Sequence, residues 1–167
     1  MKIKLESAFV AVCVLAGCAT TTVDNSTVAS IDLDRYLGEW YEIARFDHSF
    51  ERGVKQAKAT YTKRPDGKID VVNSGVKDGK RKMANGTAKV TGTPGLLRVT
   101  FFWPFYGDYR VMYLAPDYSC ALVGSGDSEY LWLLSRKPAL ADADKATLLA
   151  EATRRGYDVS RLIWVRQ

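Results

Sequence analysis

Residues 59–102, ATYTKRPDGKIDVVNSGVKDGKRKMANGTAKVTGTPGLLRVTFF, carry the pattern that decides the fold. Four runs, 59–63, 68–74, 83–91 and 96–102, are rich in the β-branched and aromatic side chains that suit a pleated surface. Between them stand Pro65-Asp66-Gly67, Lys77-Asp78-Gly79-Lys80 and Thr93-Pro94-Gly95, residues that reverse a chain tightly. Side chains alternate between the two faces of a strand. In 96–102, Leu97, Val99 and Phe101 therefore point inward while Arg98 and Thr100 face water. In 83–91, Thr87, Lys89 and Thr91 face out, which leaves Gly86, Ala88 and Val90 inside. Inward residues this small leave room in an interior.

The same punctuation extends in both directions. A strand at 40–46 precedes the stretch. Gly107-Asp108 introduces 109–114, Pro116-Asp117 introduces 120–123, and Ser125-Gly126-Asp127 introduces 130–135. Eight strands at intervals of roughly ten residues point to an all-β chain, either a sandwich or an antiparallel up-and-down barrel. Eight strands enclose a space that side chains fill or that holds one small ligand. After Pro138 the period changes. Residues 142–155 read as one helix packed outside the barrel, with Ala146, Leu149, Ala150 and Thr153 on its buried stripe, Asp142 capping its start and Gly156 closing its end. The run 162–165 adds a short final edge strand.

The chain opens differently. Lys2 and Lys4 supply positive charge, and the apolar run 8–16 is far shorter than the roughly 20 residues a spanning helix needs. Leu15-Ala16-Gly17-Cys18 resembles the lipobox of bacterial lipoproteins, which implies that residues 1–17 are a signal peptide and that Cys18 is acylated. Ala19 follows where retention in the inner membrane usually involves Asp, so the resemblance implies the outer membrane of a Gram-negative bacterium and a partner in its lipid. Residues 18–30 read as the lipidated end and a flexible tether, and 31–167 as the folded domain. Removing 1–17 leaves 22 basic and 18 acidic side chains, interspersed rather than in blocks. That distribution does not suit nucleic acid, though a basic face can lean on anionic headgroups. Cys13 leaves with the signal and Cys18 carries lipid, so Cys120 stands alone, either a buried small apolar residue or a thiol that pairs between chains.

Gly38-Glu39-Trp40 resembles the first motif of the lipocalin family, and Leu133-Leu134-Ser135-Arg136 resembles its third. Ala115-Pro116-Asp117-Tyr118 only approximates the second. Phe101-Phe102-Trp103-Pro104-Phe105-Tyr106-Gly107, Tyr130-Leu131-Trp132 and Leu162-Ile163-Trp164-Val165 extend the likeness to bacterial lipocalins over residues 34–167. The resemblance implies that Arg136 lies across the Trp40 indole to seal one end of the barrel, a structural role. It also implies an outer-membrane lipoprotein that binds, stores or transports a fatty acid or lysophospholipid, in some cases as a homodimer.

Parity places Trp132 with Leu134 and Arg136 on the inner side, and Tyr106 near a barrel mouth formed by 102–107. Tyr106, Trp132 and Phe101, with Phe46 and Tyr113, are the candidate ligand-binding residues. Glu42 falls inward, where a lone carboxylate is costly unless a bulge or a nearby Arg relieves it. The apolar 102–107 segment either contacts a membrane or partner or folds over the mouth. Contact of that kind would make the chain an envelope interaction or structural protein. No nucleophile elbow, metal-ligand spacing or phosphate loop is present, so the sequence calls for no enzyme, metal or cofactor; the one histidine, His48, reads as a loop residue.

Overall fold

The computed structural model describes residues 22–167. Among them a four-residue helix α1 (Leu33–Tyr36) precedes eight long strands. These are β1 (Gly38–Arg45), β2 (Lys55–Lys63), β3 (Ile69–Lys77), β4 (Lys80–Val90), β5 (Leu96–Phe102), β6 (Phe105–Leu114), β7 (Cys120–Gly124) and β8 (Leu131–Ser135). A helix α2 (Asp142–Arg154) and a two-residue strand β9 (Ile163–Trp164) follow. Each strand pairs antiparallel with the next, and β1 pairs with both β8 and β2, so the sheet closes. Closure removes the exposed edges that an open sheet would present to other chains.

The last strand does more than extend an edge. Only the lower half of β1, Gly38 to Tyr41, pairs with β2. Above it β9 pairs with Ala44 and Arg45, while the Gln56 amide donates to Arg166 O at 2.6 Å. Gln167 Nε2 donates to Glu42 O at 2.5 Å. The C-terminus thus fills the gap where β1 and β2 splay, next to register shifts between Glu42 and Ala44 and between Lys55 and Lys58.

Two apolar clusters lie on opposite sides of the wall. The inner one joins Trp40, Tyr61, Ile69, Val71, Ala88, Leu97, Val111, Ala121, Val123 and Leu134 with Tyr36 of α1. The outer one joins Phe46, Met112, Cys120, Leu122, Leu131 and Leu133 to Leu148, Ala152 and Tyr157. The buried stripe of α2 is therefore Leu148 and Ala152, with Leu149 partly covered, while Ala146, Ala150 and Thr153 face water. The stripe is rotated from the expected one because Leu148 is the large side chain that fits the outer cluster; burying one such side chain contributes about 1.5–3 kcal/mol. Ala141 occupies the cap position, with no side-chain bond. Cys120 is buried in this cluster, and burial pushes its thiol up to about 11, which leaves a poor nucleophile.

The amino-terminal segment departs from the expected free linker. Within residues 22–30 the Asp24 amide donates to Arg155 O at 2.9 Å, the Val28 amide to Val111 O at 2.9 Å, and Asn25 Nδ2 to Gly126 O at 3.0 Å. Buried Arg155 donates in turn to Asp24 O, Ser26 O and Met112 O at 3.0, 2.8 and 2.7 Å. A guanidinium that satisfies three carbonyls and Glu151 at once straps the segment to the barrel wall.

Candidate functional site

One end of the barrel is sealed. Trp40 is fully buried and its Nε1 donates to Tyr36 O at 2.8 Å. Arg136 lies over the indole at 3.8 Å, donating to Glu39 O at 2.9 Å and to Arg35 O and Tyr36 O at 2.7 and 2.9 Å. A desolvated stack of this kind contributes about 2 kcal/mol. Gly38 has φ +93°, a conformation that favours glycine, and a Cβ there would stand 3.4 Å from Arg136 Nη1. The spacing of glycine and tryptophan thus has a local cause. Above this floor the hydroxyls of Tyr36, Tyr109 and Tyr61 form a buried chain, at 2.6 Å and 3.0 Å.

The opposite half of the lumen is polar on one wall and small and open on the other. On β1 the register shift between Glu42 and Ala44 sends both Glu42 and Arg45 inward. Arg45 Nη1 donates to Glu42 Oε1 at 2.5 Å, and Nη2 to Glu51 O at 2.6 Å. Trp132 Nε1 donates to Glu51 Oε2 at 3.1 Å. The bulge and the arginine expected as alternatives for Glu42 both occur. Burial, helped by the Glu51 charge, still pushes the Glu42 carboxyl up to about 8 against the pull of Arg45. Burial raises Glu51 too, although the Trp132 hydrogen bond opposes it. Arg45 Nε is buried with no hydrogen-bond partner among the described residues, and Glu51 Oε2 is 3.9 Å from it. His48 stacks on Tyr130 at 4.4 Å and leans on Trp132 at 5.4 Å, and burial lowers its pKa.

Facing this cluster are β3 and β4, where Asn73, Ala84, Gly86 and Ala88 point inward by alternation from buried Ile69 and Val71. Ala88 is buried, Gly86 and Asn73 are half-buried and Ala84 is exposed, so exposure of these inward positions rises toward the rim. A Cβ on Gly86 would lie 2.9 Å from the Phe101 ring. A depression of about 330 Å³ runs at the closed end between residues 29–36 and 90–97, and there Val90, expected inside, is exposed. Thr100, expected to face water, is buried beside the register shift between Val99 and Phe102.

Of the five aromatic candidates, the structure brings Trp132 and Phe101 to the hollow. Tyr106 is on the outer wall: β6 begins at Phe105, so Tyr106 belongs to a strand rather than a loop, and Lys89 sits 4.4 Å over its ring. Phe46 packs in the outer cluster, 6.2 Å from Tyr157 and beneath Arg161 at 4.5 Å. Tyr113 also joins the outer cluster, because a register shift between Val111 and Tyr113 inverts its parity. All three placements are corrections: for Phe46 and Tyr113 strict alternation fails across a bulge, and for Tyr106 the expected mouth loop is the start of a strand. Cys18 lies outside the described residues. Arg45, Glu51 and the Tyr36–Tyr61–Tyr109 chain were not singled out by the sequence reading; the only signal was the unpaired inward carboxylate of Glu42, which called for a cation.

A family model described as a lipocalin-like domain matches residues 31–167. Outer membrane lipoprotein Blc of Escherichia coli (strain K12) is 46% identical over 169 residues, covering 98% of this chain and 96% of that protein. Its namesake in Vibrio cholerae is 43% identical over 170 residues, covering 98% and 99%. Insecticyanin from the tobacco hornworm Manduca sexta superposes with a TM-score of 0.72 at 23% identity, covering 85% of this chain and 84% of that one, a likeness of fold. With its closed eight-stranded wall, its Trp40–Arg136 floor and its outer helix, the chain belongs to the lipocalin family.

Proposed function

We propose that this lipocalin is an outer-membrane lipoprotein, anchored through acylated Cys18 and facing the periplasm, that carries a single-chain amphiphile such as a fatty acid or lysophospholipid in its lumen. The observation that supports the reading best is the pairing of small inward residues, Ala84, Gly86 and Ala88 on β4, with the buried polar cluster of Glu42, Arg45, Glu51 and Trp132. An acyl chain against Gly86, Val99, Phe101 and Trp132 gains about 25 cal/mol per Å² of buried surface. A carboxylate or phosphate head finds Arg45, whose Nε lacks an acceptor among the described residues. Glu42, neutral below about pH 8, adds no repulsion there. The relatives are named as outer membrane lipoproteins, which supports the location.

Titration of the purified full chain with a fluorescent fatty acid tests this, together with mass spectrometry of lipid that co-purifies. Saturable binding is expected, weakened about tenfold in Trp132→Ala, equivalent to ~1.4 kcal/mol. Absence of saturation, or affinity indifferent to this substitution, would overturn the carrier reading.

A further inference from the structure

The open rim has a composition unlike an ordinary solvated surface. Phe102, Trp103 and Phe105, at the tip of the β5–β6 hairpin, are 81%, 81% and 78% exposed, and Phe50 on the β1–β2 connection is 64% exposed. Large aromatic rings left in water in one group mark a contact surface. The adjacent β3–β4 tip carries Lys77, Lys80, Arg81 and Lys82 against a single acid, Asp78. Acidic residues on the other side of the rim are largely paired, Asp47 with Arg52 at 2.6 Å and Glu129 with Arg161 at 3.0 Å. Aromatic side chains beside unpaired lysines match the layered chemistry of a bilayer surface, with anionic headgroups outside and acyl chains within.

The course of the amino-terminal segment brings that surface to a membrane. From α1 at the sealed end the chain runs backward in sequence past Val28, bonded to Val111, to Asn25, bonded to Gly126 in the β7–β8 connection at the open end. The Arg155 clamp holds it there, and Val23 lies beside Gly156 past the upper end of α2. Cys18 is four Cα–Cα steps from Thr22, a reach of at most about 14 Å.

We infer that the mouth of the barrel docks on the bilayer that anchors the chain, with Phe102, Trp103 and Phe105 inserted at the headgroup–acyl boundary and the Lys77–Lys82 tip on anionic headgroups. The inference rests on the acylation of Cys18 proposed above. Its consequence is that a single-chain lipid passes between membrane and lumen without crossing water.

The full-length acylated protein, reconstituted into phosphatidylethanolamine–phosphatidylglycerol vesicles whose acyl chains carry bromine near the headgroup, provides the test. Tryptophan emission is expected to be quenched relative to unbrominated vesicles, and most of the quenching is expected to vanish in Trp103→Tyr at unchanged melting temperature. Lys80→Glu combined with Lys82→Glu is expected to reduce it too. Quenching that is absent, or equal in Trp103→Tyr, overturns the docking. So does a Trp103-dependent self-association that leaves emission unquenched, which would make a second copy the occupant. The N-terminal mass of the same sample separates the two readings: an acylated Cys18 without quenching refutes the docking alone, whereas an unmodified Cys18 refutes the anchor and the docking with it. Fatty-acid titration of the sample reports the carrier reading independently.

Discussion

Glu42 shows how one buried residue sets the character of the upper lumen. Its carboxyl is 8% exposed as a residue, shares the barrel interior with Glu51, and has one cation, Arg45, between the two. Taking a carboxylate out of water costs more than a single arginine returns when a second acid competes for it. The proton is therefore held up to about pH 8. A native state that keeps a proton the unfolded chain sheds near pH 4.5 is favoured most below that pH. It loses the advantage as pH rises through about 8. Glu42→Gln removes this titration while Arg45 keeps Glu51 and its carbonyl acceptors. Thermal melts from pH 5 to pH 9 are expected to show the variant gaining on the parent with rising pH, by about 4 kcal/mol across the range. Parallel melting curves would show that Glu42 is ionised throughout.

At the scale of elements, the placement of α2 and the amino-terminal segment depends on one another. The helix was legible from the change of period after Pro138, but its buried stripe was not, because alanines on three sides of DADKATLLAEATR offer nearly equivalent faces. The outer wall of β6–β8 made the choice by receiving Leu148 and Ala152. One turn beyond, Arg155 binds Glu151 at 2.8 Å and the carbonyls of Asp24, Ser26 and Met112, so it joins helix, segment and barrel. Arg155→Met leaves those carbonyls without their donor. Stability is expected to fall by about 2–4 kcal/mol. Residues 22–28 are expected to become the first site of limited proteolysis. A cleavage pattern unchanged from the parent would mean that the Val28–Val111 and Asn25–Gly126 bonds hold the segment without the clamp.

For the whole molecule, a barrel sealed at one end and open at the other divides its stability from its binding capacity. Tyr36, Trp40, Ile69 and Leu97 fill the lower half, while the inward side of Ala84 near the rim is not needed to close any core. Ala84→Trp is expected to occupy the hollow, reducing fatty-acid affinity by tenfold or more with a melting temperature within a few degrees of the parent. Binding that survives the substitution would move the ligand elsewhere. Turn residues such as Pro65-Asp66-Gly67 and alternating runs such as 96–102 determined the number and order of the long strands by themselves, since backbone reversal is a local property, whereas closure needed β1 to meet β8. Gly38, Trp40 and Arg136 marked the sealed end through their resemblance to lipocalin motifs. Only the tertiary structure decided which aromatics see the lumen. A single extra residue at Ile43 or Met112 inverts every side chain beyond it, and no local signal marks where that residue falls. The same holds for the Arg45 cluster, assembled from β1, β8 and the connection between β1 and β2, whose members meet only when the barrel closes.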